Sequence, residues 1–315
     1  MIGEVPVGAG RAVGLLLGVA ADAAFGDPGR GHPVALFGRV AQSLEKALYR
    51  DRRAAGVVYT GLLVGGTAAL GVLVERTARR GPVLEATATG VVTWAVLGGT
   101  SLSDEGAAMA RLLEAGELEA ARERLGNLCG RDAAALDGQG LARATVESVA
   151  ENTSDAVVAP LVWGAIAGIP GLVGYRAANT LDAMVGHKSP RYREFGWAPA
   201  RFDDLLNLLP SRVAAVVTAA CAPVVGGSAG GAWRTWRRDA SAHPSPNAGQ
   251  VEAAFAGALE IRLGGRTVYG DVAEQRPMLG EGRTADAGDV TRGVELSRLI
   301  GTVTGALAAA TAALR

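Results

Sequence analysis

The sequence predicts an all-α, multi-pass membrane protein of four to six membrane segments, joined by polar helical and loop segments, as one membrane-embedded domain over residues 1–315. Three observations carry that prediction. Four stretches of about 20 residues, the length needed to cross the hydrocarbon core, contain no charged side chain. Hydrophobic residues make up 49% of the chain and the mean hydropathy is positive. Glycine fills 45 of 315 positions, about twice its usual ~7% share, which suits close helix approach in lipid.

Taken in order, the uncharged runs are Ala54–Val74, Ala86–Ser103, Ala156–Tyr175 and Val213–Trp233. Ala12–Phe25, which carries Asp22, and Leu299–Leu314 are shorter, and each is either a marginal span or a helix packed on the others. A soluble helical protein is the alternative, but four such runs, one with Gly61 and Gly65 in small-xxx-small spacing, are hard to bury in a soluble fold of this length. The apolar N-terminal run leads into Asp22 and a Gly-Asp-Pro turn instead of a cleavage site, so it reads as retained.

Polar segments separate the runs: Gly26–Arg53, Asp104–Asp155, Arg176–Arg212 and Arg234–Arg298. The second reads as soluble helices with a Gly-rich break at Gly138 and Gly140. The first is basic (Arg30, Arg39, Lys46, Arg50, Arg52, Arg53), which favours the cytoplasm, but Arg76, Arg79 and Arg80 crowd the far end of the next span, so charge alone does not fix the topology. Basic and acidic residues balance at 31 each, which removes the electrostatic footprint of a nucleic-acid binder. Cys129 and Cys221 have no zinc or disulfide spacing.

Four constellations carry the chemistry. The first is the turn Gly26-Asp27-Pro28-Gly29-Arg30-Gly31-His32-Pro33-Val34 with Arg39 beyond it, in which Asp27, His32 and Arg39 project from a rigid frame; a plain helix-ending loop is the alternative. In the second, Glu147, Glu151 and Asp155 are spaced i, i+4, i+8 with Asn152 between them, and on a helix they form one acidic stripe that repels itself unless a cation sits there. Magnesium on a nucleotide fits, since it takes one or two carboxylates and completes its shell with phosphate and water. The alternative is a solvated face on which Arg143 pairs with Glu147.

The third constellation runs from Tyr175 to Asp204. Arg176, Asn179 and Asp182 share a helix face directly beyond a membrane segment, and Lys188, Arg191, Arg193 and Arg201 lie near Asp203 and Asp204. Such a group suits phosphate plus metal, or else anchors the membrane edge. The fourth is Arg238-Asp239-Ala240-Ser241-Ala242-His243-Pro244-Ser245-Pro246-Asn247-Ala248-Gly249, leading into a helix with Asn247 and Gln250 spaced as a capping box. Its free N–H groups could receive an anion such as phosphate.

These four constellations, in this order and with these hydrophobic runs between them, resemble the CobD/CbiB family over nearly the whole chain. The most specific matches are the block Glu147–Arg212 and the string Arg238–Gly249. The spacer between Gly-Asp-Pro and His-Pro-Val is one residue shorter than in many members, which bears on the placement of His32.

The resemblance implies an ATP- and Mg²⁺-dependent acid–amine ligase of cobalamin biosynthesis. It would amidate a propionate carboxylate of the corrinoid adenosylcobyric acid with (R)-1-aminopropan-2-ol or its O-phosphate, giving adenosylcobinamide or its phosphate. A carboxylate is a poor electrophile, so ATP would convert it to an acyl phosphate before the amine attacks, and metal and cationic side chains would meet the developing charge. On this reading Glu147, Glu151, His32 and His243 are catalytic candidates. Asp27, Arg39, Asn152, Arg176, Asn179, Lys188, Arg201, Arg238, Ser241, Ser245 and Asn247 would bind substrate or nucleotide, and Glu151, Asp155, Asp182, Asp203 and Asp239 would hold metal. The amine needs a base, and the three histidines, His32, His187 and His243, each lie in or beside a motif. The expected location is the inner membrane with a cytoplasmic active site; the expected partners are the bilayer, other membrane enzymes of late cobalamin assembly and a second copy of the chain, but no nucleic acid.

No Walker-type string occurs, so the nucleotide would be held another way. A transporter, with Gly168-Ile169-Pro170-Gly171 interrupting a span, and a non-enzymatic membrane sensor are the rival readings. If every run crosses once, the third constellation falls on the opposite side from the second and fourth. A re-entrant pair of half-helices broken at Gly168–Gly171 would resolve this, with a matching exception near Pro210 or Pro223.

Overall fold

The structure is a computed structural model of the chain and describes residues 8–27, 31–187, 189–269 and 272–315. In chain order the helices are α1 (Ala9–Phe25), α2 (Pro33–Leu48), α3 (Arg53–Ala78), α4 (Pro82–Val96), α5 (Gly99–Glu114), α6 (Leu118–Leu125) and α7 (Gly138–Thr153). A wide π turn, Ser154–Val158, leads into α8 (Ala159–Leu181), and a second, Asp182–Gly186, ends it. Then come α9 (Trp197–Cys221), α10 (Ala229–Asp239), α11 (Ala248–Leu259), strands β1 (Ile261–Tyr269), β2 (Val272–Leu279) and β3 (Arg283–Thr284), and α12 (Ala287–Ala313). Among the described residues, four helical segments are long and apolar enough to cross a membrane: Arg53–Ala78, Gly138–Gly186, Trp197–Val225 and Ala287–Ala313. The fold is that of a multi-pass α-helical membrane protein.

The chain divides into two compact units. The first comprises the chain up to Gly98, Ala159–Asn207 and Thr304–Arg315. In it α1 lies against α4 through Gly10, Gly14 and Gly18, four residues apart, where an added Cβ would strike Glu85, Thr89 and Thr93. Close backbone approach of this kind is how helices associate where lipid removes the hydrophobic driving force. Gly61 and Gly65, expected to do this, instead have nothing within 4 Å, so their face of α3 is open.

The expected break at Gly168 is present: its backbone turns to φ 67, ψ −148 inside α8, with Pro170 two residues on. A positive φ suits glycine because a Cβ would be strained there. Glu75, 7% exposed, secures the break. Its carboxylate accepts from the Ile169 N–H at 2.8 Å and from Arg11 at 2.8 Å, and pairs with Arg79. The freed end of the second half-helix thus meets an anion, as the helix dipole favours.

Much of the basic stretch after α8 is structural. Arg191 donates to Glu45 at 3.1 Å and stacks over the Tyr49 ring at 4.3 Å, while the Tyr192 hydroxyl donates to Glu45 at 2.9 Å. Phe195 is fully buried against Tyr59 and Tyr49. Arg53 pairs with Glu194 at 3.0 Å.

The second unit comprises Gly99–Val158 and Leu208–Val303. Every residue of α11 is buried except Gln250. Gly231 and Gly257 let α10 approach it backbone to backbone. The strands form a sheet of order β2-β1-β3, antiparallel between β1 and β2 and parallel between β1 and β3. This sheet was not predicted. A bulge lies between Leu263 and Gly265, where Gly264 and Gly265 adopt φ 87 and 86. It turns the strand toward α7, whose Arg143 donates to the carbonyls of Gly264 and Arg266.

Two expected spans change. Ala86–Ser103 is broken after α4, where Leu97 is extended (ψ 159) before α5 begins. Val213–Trp233 ends early, because Pro223, Gly226 at φ 68 and the Ser228 N-cap of α10 interrupt it, and the long helix instead starts back at Trp197.

Candidate functional site

Each unit holds a polar centre. The larger is in the second unit, where α7, α11, the turn before α11, the hairpin and the segment after α6 converge. Glu147, 1% exposed, pairs with Arg131 and accepts from the Gly264 N–H at 2.6 Å. Its partner is therefore Arg131 and not Arg143. Glu151, one turn on, is solvent-exposed and has Arg276, Arg131 and Glu147 as its electrostatic neighbours. Asp155 lies in the π turn, so the 3.6-residue stripe predicted for Glu147, Glu151 and Asp155 is interrupted before its third member. Asn152 donates back to the Ser148 carbonyl at 2.9 Å.

Glu252 of α11 completes this centre and is absent from every sequence motif above. It is 1% exposed, and neither carboxylate oxygen has a hydrogen-bond partner among the described residues. Its Oε1 lies 3.7 Å from Nε2 of His243, which is equally unsatisfied. Burial first, and then Glu147 and Glu151 beside it, raise the Glu252 carboxyl well above the ordinary glutamate range. Burial first, and then the Arg276 guanidinium, lower the His243 imidazole. Each shift favours the neutral form.

His243 is positioned by its own turn: Nδ1 accepts from the Ser245 N–H at 3.1 Å, which leaves Nε2 to carry the proton and face Glu252. His32 repeats the device in the other unit. Its Nδ1 accepts from the Val34 N–H at 3.1 Å as the N-cap of α2, and its Nε2 faces Asp27 at 3.9 Å. A His-Pro-X turn thus fixes the same tautomer twice. His187, by contrast, packs edge-on against Tyr192.

The rest of the fourth motif is largely scaffolding. Arg238 forks onto Asp239 at 2.6 and 2.9 Å and reaches Glu281 at 2.7 Å, and Asp239 accepts from the Gly280 N–H at 2.8 Å. The Arg238 guanidinium holds the Asp239 carboxyl below its usual range. The expected capping box does not form, because Ser245 Oγ accepts from the Asn247 and Ala248 N–H groups. Asn247 instead accepts from the Ser211 hydroxyl at 3.2 Å, and Gln250 accepts from Trp236. Ser241 is exposed in a short 3₁₀ turn.

The first unit's centre gathers part of the third motif. Asp203, 8% exposed, accepts from Asn207 at 2.9 Å and from Asn179 at 3.4 Å, with Asp182 beside it. The Tyr175 hydroxyl donates to Asn207 at 2.9 Å; the motif had not singled out Tyr175 or Asn207 as binding residues. Arg201 pairs with Asp204 on the surface at 3.3 Å. Arg176 lines a small apolar cavity of about 90 Å³ with Val34, Phe37, Thr67 and Val173. Arg39 is exposed on α2, and Lys188, like Pro28, Gly29 and Arg30, lies outside the described residues. Among the described residues, no group of three or more His, Cys, Asp or Glu side chains is arranged to hold a metal ion by itself.

The chain is 56% identical over 290 residues to a Mycobacterium tuberculosis protein named Cobalamin biosynthesis protein CobD, covering 92% of each. Proteins of that name from Rhodobacter capsulatus and Chromobacterium violaceum are 42% and 41% identical over 272 and 280 residues, covering 85% of both chains in the first case and 87% of this chain and 88% of the relative in the second. No solved structure matches. A family model described as CobD/Cbib protein matches residues 15–297, a stretch that includes both polar centres and all four predicted motifs, and the chain belongs to the CobD/CbiB family.

Proposed function

We propose that the protein is a membrane-bound enzyme of cobalamin biosynthesis that joins (R)-1-aminopropan-2-ol or its O-phosphate to a propionate carboxylate of adenosylcobyric acid at the expense of ATP. Family membership supports the pathway. The observation that carries the chemistry is the cluster of Glu147, Glu151, Glu252, His243, Arg131 and Arg276, in which the buried Glu252 carboxylate and His243 Nε2 lack hydrogen-bond partners among the described residues, beside an exposed carboxylate. Strongly perturbed groups clustered around two guanidiniums are the arrangement expected of a reaction site.

The donor chemistry there fits magnesium bound with a nucleotide. Glu151 offers hard oxygen donors, and one carboxylate suffices when phosphate and water complete the shell. Bound Mg²⁺–ATP would supply the phosphoryl group and neutralise charge as the carboxylate is activated. Arg276 and Arg131 stand where negative charge develops, fixed in advance by the hairpin and by Glu147. His243, its Nδ1 committed to the backbone, acts as a fixed N–H donor and not as the amine's base.

The test is ATP turnover by the purified protein in detergent or nanodiscs. Turnover that requires both adenosylcobyric acid and the amino alcohol, with amide product, is expected. Substrate accumulation across a sealed vesicle without product would instead favour a transporter.

A further inference from the structure

The exposed face of α10 carries a feature that catalysis does not use. The helix begins four residues after the Trp197–Val225 segment ends, so its chain position is the edge of the membrane. One side is occupied: Ala232 and Thr235 are buried, Gly231 meets Gly257 of α11, and the Trp236 indole N–H donates to Gln250 at 2.8 Å. The other side presents Gly230, Trp233, Arg234 and Arg237, all exposed. Trp233 is 49% exposed, its ring held edge-on to Trp236 at 5.1 Å. Arg234 and Arg237 have no hydrogen-bond or ion-pair partner among the described residues, whereas neighbouring Arg238 is bound to Asp239 and Glu281.

We propose that α10 is an interfacial helix, docked on an anionic lipid surface by Trp233 and the unpaired guanidiniums of Arg234 and Arg237. An indole has an apolar body and one polar N–H, and so prefers the headgroup level of a bilayer. Two unpaired arginines on the same face add attraction for phosphate headgroups, which bind guanidinium in a fork. The bilayer is the occupant because the preceding segment already delivers the chain to it and because both the charge and the indole match its interface. Docking would put the Val225 end of that segment on the anionic leaflet, which the charge distribution of the sequence alone leaves open. It would also tie α11, and with it His243 and Glu252, to the membrane surface through the α10–α11 contact.

The test uses the whole protein in nanodiscs of phosphatidylcholine alone or mixed with phosphatidylglycerol, with lipids brominated near the headgroup as quenchers of tryptophan fluorescence. The parental protein is expected to show a quenched component that Trp233→Phe removes and that grows with phosphatidylglycerol. The double variant Arg234→Gln/Arg237→Gln should lose the phosphatidylglycerol dependence, corresponding to a roughly 30-fold shift in docked over undocked helix, and so should the parental protein in high salt. These side chains are exposed, so both variants should keep the parental melting temperature. Equal quenching in parent and Trp233→Phe would overturn the proposal. So would a Trp233 shielded from both brominated lipid and aqueous iodide, which would mean that protein covers this face. Amide formation is not a readout here, so the outcome is independent of the proposed reaction.

Discussion

Glu252 shows how an unremarkable glutamate comes to be buried without a hydrogen-bond partner among the described residues, beside other carboxylates. Nothing in Ala248–Leu259 marks it, since it is one acid in a helix of small apolar residues. Burial without a partner, beside two other carboxylates, favours its neutral form. A raised carboxyl contributes stability that is full below its ordinary value of 4.5 and is lost as pH rises toward its own value. The lowered His243 does the opposite: its contribution is present above the ordinary imidazole value of 6.5 and falls as pH drops below it. Thermal unfolding in detergent should therefore show the Glu252 contribution being lost as pH rises above 4.5, and Glu252→Gln should flatten that part of the pH dependence. An unchanged pH slope in Glu252→Gln would place the titrating group elsewhere. Glu147, Glu151 and His243 could be singled out from the sequence because they stand in polar motifs. Glu252, Arg131 and Arg276 were not, because their proximity comes from α11, the hairpin and the segment after α6, which only the folded chain brings together.

At the level of elements, spans and breaks were easier to read than sheets and π turns. Uncharged runs and Gly-x-Pro announced α3 and the interruption of α8. The hairpin was hidden because Gly264 and Gly265 spoil its alternation and because α7 supplies bonds to its bulge through Arg143 and Glu147. The π turn at Ser154–Val158 leaves no trace in composition, yet it takes Asp155 off the stripe. The start of α9 was missed for a related reason: Asp203, Asn207 and Ser211 look too polar for a span, but all three are buried and bonded inward. The break in α8 depends on Glu75. Glu75→Ala would strand Arg11 and the Ile169 N–H without an acceptor, at a cost of about 3–5 kcal/mol. Its unfolding midpoint in a detergent titration should fall accordingly, with Glu75→Gln intermediate; a parental midpoint for Glu75→Ala would show that the break holds itself.

On the scale of the whole molecule, the sequence conveyed the membrane character and the family but not the division into two discontinuous units, because the chain passes between them within α9 and α12 and at the joins of α4 with α5 and α7 with α8. Each unit uses its polar residues inward, and the second contains the acid–arginine centre on which the proposed reaction rests. The most direct measurement is amide formation by Glu151→Gln protein in nanodiscs with Mg²⁺, ATP, adenosylcobyric acid and aminopropanol O-phosphate. The substitution keeps size and hydrogen bonding and removes one charge, so membrane insertion and melting should be unchanged while product formation falls about 100-fold or more. Product at the parental rate with the parental magnesium dependence would contradict the account, because Glu151 would then be only a solvated residue beside the centre and the metal–nucleotide would have to bind elsewhere.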